Sequence, residues 1–241
     1  YSEVNKAAKV AEKAGLKHHV KIISKQEFWD ALPDVMYHMD EPLGDASAVA
    51  LYFLSKEAAG HVKVVLSGEG ADELFGGYNI YREPESLKKI AWIPFGVRRV
   101  IGKLAAKLPD VKGRDFLIRA GMKVEERFIG NAYIYREKEK TQILKNKVTG
   151  PSTQEYLRPF YEELESENRG SLRDMEKMQS VDLRYWLPGD ILQKADKMSM
   201  AHSLEVRVPF LDKEVFDFAA KLPKEAKIAA GTTKYIFRKA V

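Results

Sequence analysis

A short apolar, β-branched run, Val62-Lys63-Val64-Val65-Leu66, breaks off into the glycine-rich acidic stretch Ser67-Gly68-Glu69-Gly70-Ala71-Asp72-Glu73-Leu74-Phe75-Gly76-Gly77-Tyr78. A strand that ends abruptly in such a loop is characteristic of the carboxyl edge of a parallel sheet, where open α/β folds place their ligands. What precedes it fits. Residues 2–14 carry Val4, Ala7, Ala8, Val10, Ala11 and Ala14 on one stripe, with Ser2 able to cap a helix and Gly15 placed to stop it. Lys17–Ile23 is partly alternating and β-prone, which predicts a strand. Ser24-x-x-Glu27 is a capping-box signature opening the next helix, and Pro33 suits the first turn of a further helix running to about Met39. The turn Asp40-Glu41-Pro42-Leu43-Gly44-Asp45 leads to a helix from about Ser47 to Ala59, closed by Gly60. Two strands joined by so long a helical crossover form a parallel pair.

After Tyr78 the pattern changes. Helical stripes follow, Val97-Val100-Ile101-Leu104-Leu108 and later Leu172-Met175-Met178-Val181-Leu183-Trp186, punctuated at Pro109, Gly113, Gly130 and Pro188-Gly189. The charged segment 134–150 reads as a surface hairpin of helices. The expected fold is therefore α/β and predominantly helical, with a nucleotide-binding α/β part over 1–95 and a mainly helical part over 96–241. Two strands are too few for a stable sheet, so the first strands of that sheet are expected upstream of Tyr1. The chain opens Tyr1-Ser2-Glu3, without methionine, and closes inside a helical pattern, as expected of a piece of a longer domain.

No apolar run approaches the roughly 18 residues that would suggest a membrane span. The chain has no cysteine. That excludes disulfides, thiolate metal sites and cysteine nucleophiles, and makes cytoplasm the expected compartment. Lysine and arginine number 40 against 35 acidic residues, a net charge of +5. The basic residues are interspersed with acids, and Arg98-Arg99 with Lys103 and Lys107 read as one exposed helical face, so neither nucleic acid nor membrane is expected as a partner.

The chemistry concentrates in two places. Gly68 and Gly70 allow close backbone approach to a ligand, yet the loop carries three carboxylates and no lysine, so it is not a Walker-type phosphate loop. Carboxylates beside phosphates make sense when Mg²⁺ lies between them. Equally, Asp72 and Glu73 can simply complement the amino end of the following helix. Further along, Lys194, Asp196 and Lys197 lie on a predicted helix, with the two lysines sharing a face at i,i+3; a solvated salt-bridged face is the competing reading. Glu205 and Arg207 flank Val206 and read as an internal ion pair or a carbonyl-clamping arginine, Met198 and Met200 as core. His18 and His19 sit on the predicted strand without partners at metal-ligand spacing.

Ser67–Tyr78 closely resembles the signature loop of glutamine-hydrolysing asparagine synthetases. The stretch Leu187-Pro188-Gly189-Asp190 through Asp212 resembles a second long block of the same family, in the same order. Asp40-Glu41-Pro42 and Asp45-x-Ser47 also stand in family positions, while Ala50 replaces an expected proline. β-Lactam synthetases and other adenylating amidotransferases share parts of this pattern. The resemblance implies a partial synthetase domain over 1–241, with an ATP-pyrophosphatase, Rossmann-like parallel sheet.

It also implies a reaction. Mg-ATP adenylates the side-chain carboxylate of aspartate, and ammonia released from glutamine by a separate glutaminase domain attacks the β-aspartyl-AMP. Carried over by motif position, Glu69 is the catalytic carboxylate, Ser67 and Gly68 contact AMP, and Asp72 supports Mg²⁺ through pyrophosphate. Glu73 braces the following helix and Tyr78 packs. The resemblance favours an active-site-facing role for Lys194, Asp196 and Lys197, and a substrate contact for Asp45 and Ser47, although helix capping accounts for Ser47 equally well. It allows a homodimer of the parent enzyme. Three family parts are expected outside this sequence: a cysteine glutaminase, a Ser-Gly-Gly-x-Asp-Ser pyrophosphate loop upstream, and a lysine-bearing segment beyond Val241. The chain alone is therefore expected to be inactive. The alternatives are a related adenylating amidotransferase, a β-lactam-synthetase-like enzyme, or a non-catalytic interaction module.

Overall fold

The computed structural model describes residues 4–131, 135, 137–146, 150–168 and 172–240. In chain order, α1 (Val4–Lys13), α2 (Lys25–Met39) and α3 (Ser47–Ala59) lead to strand β1 (Val64–Leu66). Then come α4 (Ala71–Phe75), a 3₁₀ turn Asn79–Arg82, α5 (Glu83–Lys88), α6 (Phe95–Ala105), α7 (Arg114–Ala120), α8 (Val124–Arg127) and α9 (Glu137–Ile143). After α10 (Thr153–Glu167) and α11 (Asp174–Val181), a π-wound stretch Asp182–Leu192 precedes α12 (Gln193–Met200) and strand β2 (Glu205–Arg207). A 3₁₀ turn Pro209–Leu211, α13 (Lys213–Lys221), α14 (Lys224–Lys227) and α15 (Tyr235–Ala240) complete the order. The fold is mostly helical with a small parallel sheet. By contact the chain falls into two compact units, Tyr1–Ser67 with Leu192–Arg207, and Gly68–Ile191 with Val208–Val241.

In the first unit, local signals become local structure. Gly15, at φ +65°, ends α1 as expected, while Ser2 lies outside the described residues. The capping box is present: the Glu27 amide donates to Ser24 Oγ at 3.2 Å and the Ser24 amide to Glu27 Oε2 at 2.8 Å. Pro33 does not start a new helix but lies inside α2. The proline is exposed, whereas Ala31, Val35 and Met39 on the opposite face are buried. They pack with Ala48, Val49 and Tyr52 of α3 and Met198 of α12. Each fully buried large side chain contributes roughly 1.5–3 kcal/mol, enough together to offset a proline cost of about 3 kcal/mol. Met200, expected in the core, is exposed, because two residues along a helix rotate its side chain away from Met198.

The strand expected over Lys17–Ile23 has no regular structure. An extended segment becomes a strand only with a backbone partner, and none of the described strands pairs with it. Instead β1 pairs in parallel with β2, in the register Val64 to Glu205, Val65 to Val206 and Leu66 to Arg207. The Glu205 amide donates to the Lys63 carbonyl at 2.9 Å and the Ser67 amide to the Arg207 carbonyl at 2.8 Å. Arg207 and Glu205 form an ion pair at 3.1 Å, on the surface rather than internally as expected, because both side chains alternate away from half-buried Val206.

In the second unit the stripe on α6 faces outward: Val97, Val100 and Leu104 are exposed, and Gly102 and Ala105 are the buried residues. A methyl group on Gly102 would meet the Leu117 and Ile118 carbonyls at 3.1 and 3.2 Å, so a small residue there is what lets α6 lie close to α7. The expected basic face is also put to structural use. Arg98 donates to the carbonyls of Ile93 and Ala120, and Arg99 forks onto Glu126 at 2.7 and 3.2 Å. Segment 134–150, expected as a helical hairpin, contributes α9 and lies partly outside the described residues. Pro188 and Gly189, read as punctuation, lie inside the π-wound stretch. Wider winding moves the preceding carbonyls away from the proline ring, which an α-helix cannot do.

The core of this unit gathers Tyr81, Val124, Phe128, Leu157, Tyr161, Met175, Met178 and Val181 around one buried carboxylate. Asp182 accepts from the Tyr81 hydroxyl at 2.5 Å, the Asn131 amide at 3.0 Å and Asn131 Nδ2 at 2.6 Å. Burial nevertheless pushes its carboxyl up to about 6, from an ordinary value near 3.8. The folded state thus holds a proton that the unfolded chain has already lost. The Asp182 contribution to stability is present at acid pH and declines as pH rises through about 6. Urea unfolding at about pH 5 and about pH 7.5 should show wild type losing stability relative to Asp182→Asn across that interval. A gap that stays constant, or widens in favour of wild type, would contradict this assignment.

Candidate functional site

The sequence-predicted residues fall into two groups, one around α12 in the first unit and one on the loop that leaves β1. In the first unit, α12 presents Lys194 and Lys197 to the turn between α2 and α3. Lys194 Nζ donates to Asp45 Oδ2, and Lys197 Nζ donates to Asp40 Oδ2. The i,i+3 face is therefore used twice, on two aspartates of one turn. The two pairs differ in burial: the Lys194 side chain is 7% exposed, whereas Lys197 and Asp40 are 37% and 67% exposed. Burial works against the charge of Asp45, but hydrogen bonds from Lys194 and the Ser47 amide outweigh it and hold the carboxyl below the usual range. The Ser47 amide donates to Asp45 Oδ1 at 2.8 Å, so Asp45 does the capping work expected of Ser47, whose own hydroxyl makes no cap. Asp196 is exposed and stands outside this pairing.

The loop that leaves β1 begins with half-buried Ser67, at the end of the first unit. Its remaining residues belong to the second. Gly68 is exposed, with open space where a side chain would project, which leaves its backbone approachable. Glu69 is half-buried. Gly70 adopts φ +85° immediately before α4, and a side chain there would strike Leu211, with Cγ at 2.8 Å, so the turn admits only glycine without rearrangement. Ala71, Leu74 and Phe75 are buried, and the Phe75 ring packs against Phe210 and Phe237 with centroids 6.2 and 5.6 Å away.

Glu73 is 1% exposed and does brace its helix. The Tyr78 hydroxyl donates to Glu73 Oε1 at 2.7 Å and accepts from Trp186 Nε1 at 3.2 Å. Burial raises both the Glu73 carboxyl and the Tyr78 phenol above their ordinary values. The Glu73 carbonyl accepts from Gln179, whose Oε1 in turn accepts from buried Lys227 at 3.3 Å. Asp72 points the other way, its side chain 40% exposed, and its Oδ1 lies 2.9 Å from Lys234 Nζ. A side chain on Gly77 would fall on both Asp72 and Lys234. Lys234 is a cation of this loop that no motif in the sequence singles out. The run Gly231-Thr232-Thr233-Lys234, a turn directly before a helical pattern, was the signal available.

The sequence matches the asparagine synthase family over residues 1–241. The chain belongs to the asparagine synthase family. Asparagine synthetase [glutamine-hydrolyzing] 1 of Bacillus subtilis is 48% identical over 241 residues, which are all of this chain and 37% of the relative. A Mycobacterium bovis protein provisionally named a glutamine-hydrolysing asparagine synthetase is 45% identical over 242 residues, again the whole chain and 36% of the relative. Asparagine synthetase [glutamine-hydrolyzing] 1 of Saccharomyces cerevisiae matches over 87 residues at 39% identity, 35% of this chain and 15% of its own length. This asparagine synthase family chain thus spans little more than a third of the two relatives that match it from end to end. Among its described residues no helix is long and apolar enough to cross a membrane.

The unequal burial of the two lysine–aspartate pairs yields a direct comparison in this family member. Removing Asp45 takes an anionic partner from a buried ammonium and uncaps α3, so Asp45→Ala should cost about 2 kcal/mol. Asp40→Asn removes the charge of a solvent-screened pair while keeping a residue that tolerates the φ of +61° there, and should leave the denaturation midpoint essentially unchanged. Equal losses for the two variants in chemical denaturation would contradict the assignment.

Proposed function

We propose that this chain carries out the synthetase half-reaction of its family: ATP-dependent amidation of aspartate through a β-aspartyl-AMP intermediate, with ammonia supplied by glutamine hydrolysis elsewhere. The observation that carries this reading is the acidic loop after β1, which carries Glu69 and pairs Asp72 with Lys234, in a chain that belongs to the family throughout. The nucleotide-binding α/β part would lie within 1–95, as part of a Rossmann-like ATP-pyrophosphatase sheet, and the mainly helical part within 96–241. A cysteine-free chain suits the cytoplasm, and a homodimer of the parent enzyme is compatible with the reading.

In the first step an aspartate side-chain oxygen attacks the α-phosphorus of ATP and pyrophosphate leaves. Ser67 and Gly68 would hold the AMP portion, the glycine through its approachable backbone. The donor set suits Mg²⁺, which takes one or two carboxylates together with phosphate oxygens; half-exposed Asp72 supplies a carboxylate of that kind. When bound, Mg²⁺ would offset charge on the departing pyrophosphate. Lys234, fixed by Asp72, places a further positive charge at the same loop. In the second step ammonia attacks the acyl carbon, AMP departs, and the proton shed by the nitrogen passes to a carboxylate, the role we give Glu69. Asp45, Ser47, Lys194, Asp196 and Lys197 are the candidates for substrate recognition. Lys194 and Asp45 suit a positioning role, because their charges are already committed to each other.

The test places residues 1–241 in the Bacillus subtilis relative in place of its matching segment, then measures AMP and asparagine formed from aspartate, Mg-ATP and ammonium. The chimera should form both in equal amounts. Glu69→Gln should reduce the rate at least about 100-fold, and Asp72→Ala should weaken Mg-ATP use. A folded chimera that releases AMP only with a different carboxylate would assign the chain to another adenylating amidotransferase or a cyclising relative. Retained glutaminase activity with no AMP from any carboxylate would favour a non-catalytic module.

A further inference from the structure

The segment Leu16–Ser24, which has no regular structure, passes the carboxyl end of α3, and three side chains meet there within the first unit. Glu57 and His61 stand one helical turn apart. His61 continues the winding past the α3 cap, its amide donating to the Ala58 carbonyl at 2.9 Å. His61 Nε2 lies 3.4 Å from Glu57 Oε1 and His19 Nδ1 lies 3.8 Å from the same oxygen. The two imidazole rings have centroids 4.3 Å apart at an interplanar angle of 55°. One ligand atom from each residue therefore falls within 4.8 Å of the other two.

Tetrahedral bonds of about 2.0–2.1 Å hold neighbouring ligand atoms about 3.3 Å apart. The two imidazole–carboxylate separations, at 3.4 and 3.8 Å, therefore need only small shifts, and the two imidazole nitrogens, within 4.8 Å, must draw together by up to about 1.5 Å. Two imidazole nitrogens and one carboxylate form a three-ligand set that leaves a position for water. Imidazole selects the borderline divalent transition metals over Mg²⁺ and Ca²⁺, which prefer oxygen. The side chains are 35%, 41% and 50% exposed for His19, Glu57 and His61, leaving an open approach for the ion and room for water ligands.

We propose that His19, Glu57 and His61 bind a divalent transition-metal ion of the Zn²⁺ class, with water completing the sphere, and that the ion clips the Leu16–Ser24 segment to the end of α3. The sequence argument against a histidine metal site rested on spacing along the chain. His19 lacks local partners there because both are supplied by a helix far downstream. The ion would act as a fastener rather than as a participant in amidation. Its binding replaces a carboxylate–imidazole contact with bonds that hold the irregular segment in one position, and it stabilises the folded state by mass action.

Zn²⁺ is titrated into the full chain by calorimetry in a buffer containing millimolar Mg²⁺, which occupies oxygen-only sites and does not compete for imidazole. One saturable site of micromolar strength is expected, with a melting temperature that rises with Zn²⁺. His19→Ala, His61→Ala and Glu57→Gln should each weaken binding at least about tenfold and remove most of the thermal shift. His18→Ala, next to the cluster but outside it, should leave both unchanged. Absence of saturable binding up to about 1 mM Zn²⁺ would overturn the proposal. So would unchanged affinity in the His19→Ala/His61→Ala double variant, since the ion would then be held elsewhere. Neither readout depends on amidation activity, so failure here leaves the proposed reaction standing, and the reverse also holds.

Discussion

The acidic loop is anchored by a carboxylate that has almost no contact with water. Glu73 is buried at the centre of α4, with Tyr78 on its oxygen and Trp186 on Tyr78. Its own carbonyl is held by Gln179, which Lys227 holds in turn. An acid buried this deeply is costly unless every lone pair finds a donor, so the arrangement tolerates little displacement. With α4 pinned at its middle, the residues at its start have no freedom to drift. Asp72 is turned out toward Lys234 as a geometric consequence of Glu73 being turned in, because adjacent helical residues point in directions about 100° apart.

What sequence reading can see is set by the range of the interaction. The Ser24–Glu27 box, the Gly15 stop and the extent of α3 depend on groups within a turn of each other, and all three are legible. So is the i,i+3 face of Lys194 and Lys197, although not its division into a buried and an exposed pair. The partner of β1 was misassigned because strand pairing is decided by tertiary contact: both Lys17–Ile23 and Glu205–Arg207 have short β-prone patterns, and only the second finds a neighbour. Pro33 and Pro188 misled for a related reason. Proline has a local cost, but whether the helix stops depends on what the remaining residues bury and how the backbone can widen.

Charged residues show the same division. Asp182 reads as an ordinary polar position between Val181 and Leu183, and only the convergence of Tyr81 and Asn131 reveals it as the polar centre of a core. The acidic loop was singled out for its composition, yet its cation, Lys234, comes from a turn much later in the chain. The two groups of candidate residues carry their charges differently. In the first unit the Lys194 side chain is buried against Asp45; in the second, Asp72 is paired with Lys234 and remains half-exposed. A buried ion pair is suited to hold shape, and one open to solvent leaves room for a ligand.

The small sheet has an effect beyond the site. Val64 and Leu66 are 54% and 74% exposed, and among the described residues each of the two three-residue strands has a strand partner on one side only. An edge of this kind can be extended by a further strand, so the pair is a place from which a larger sheet can grow.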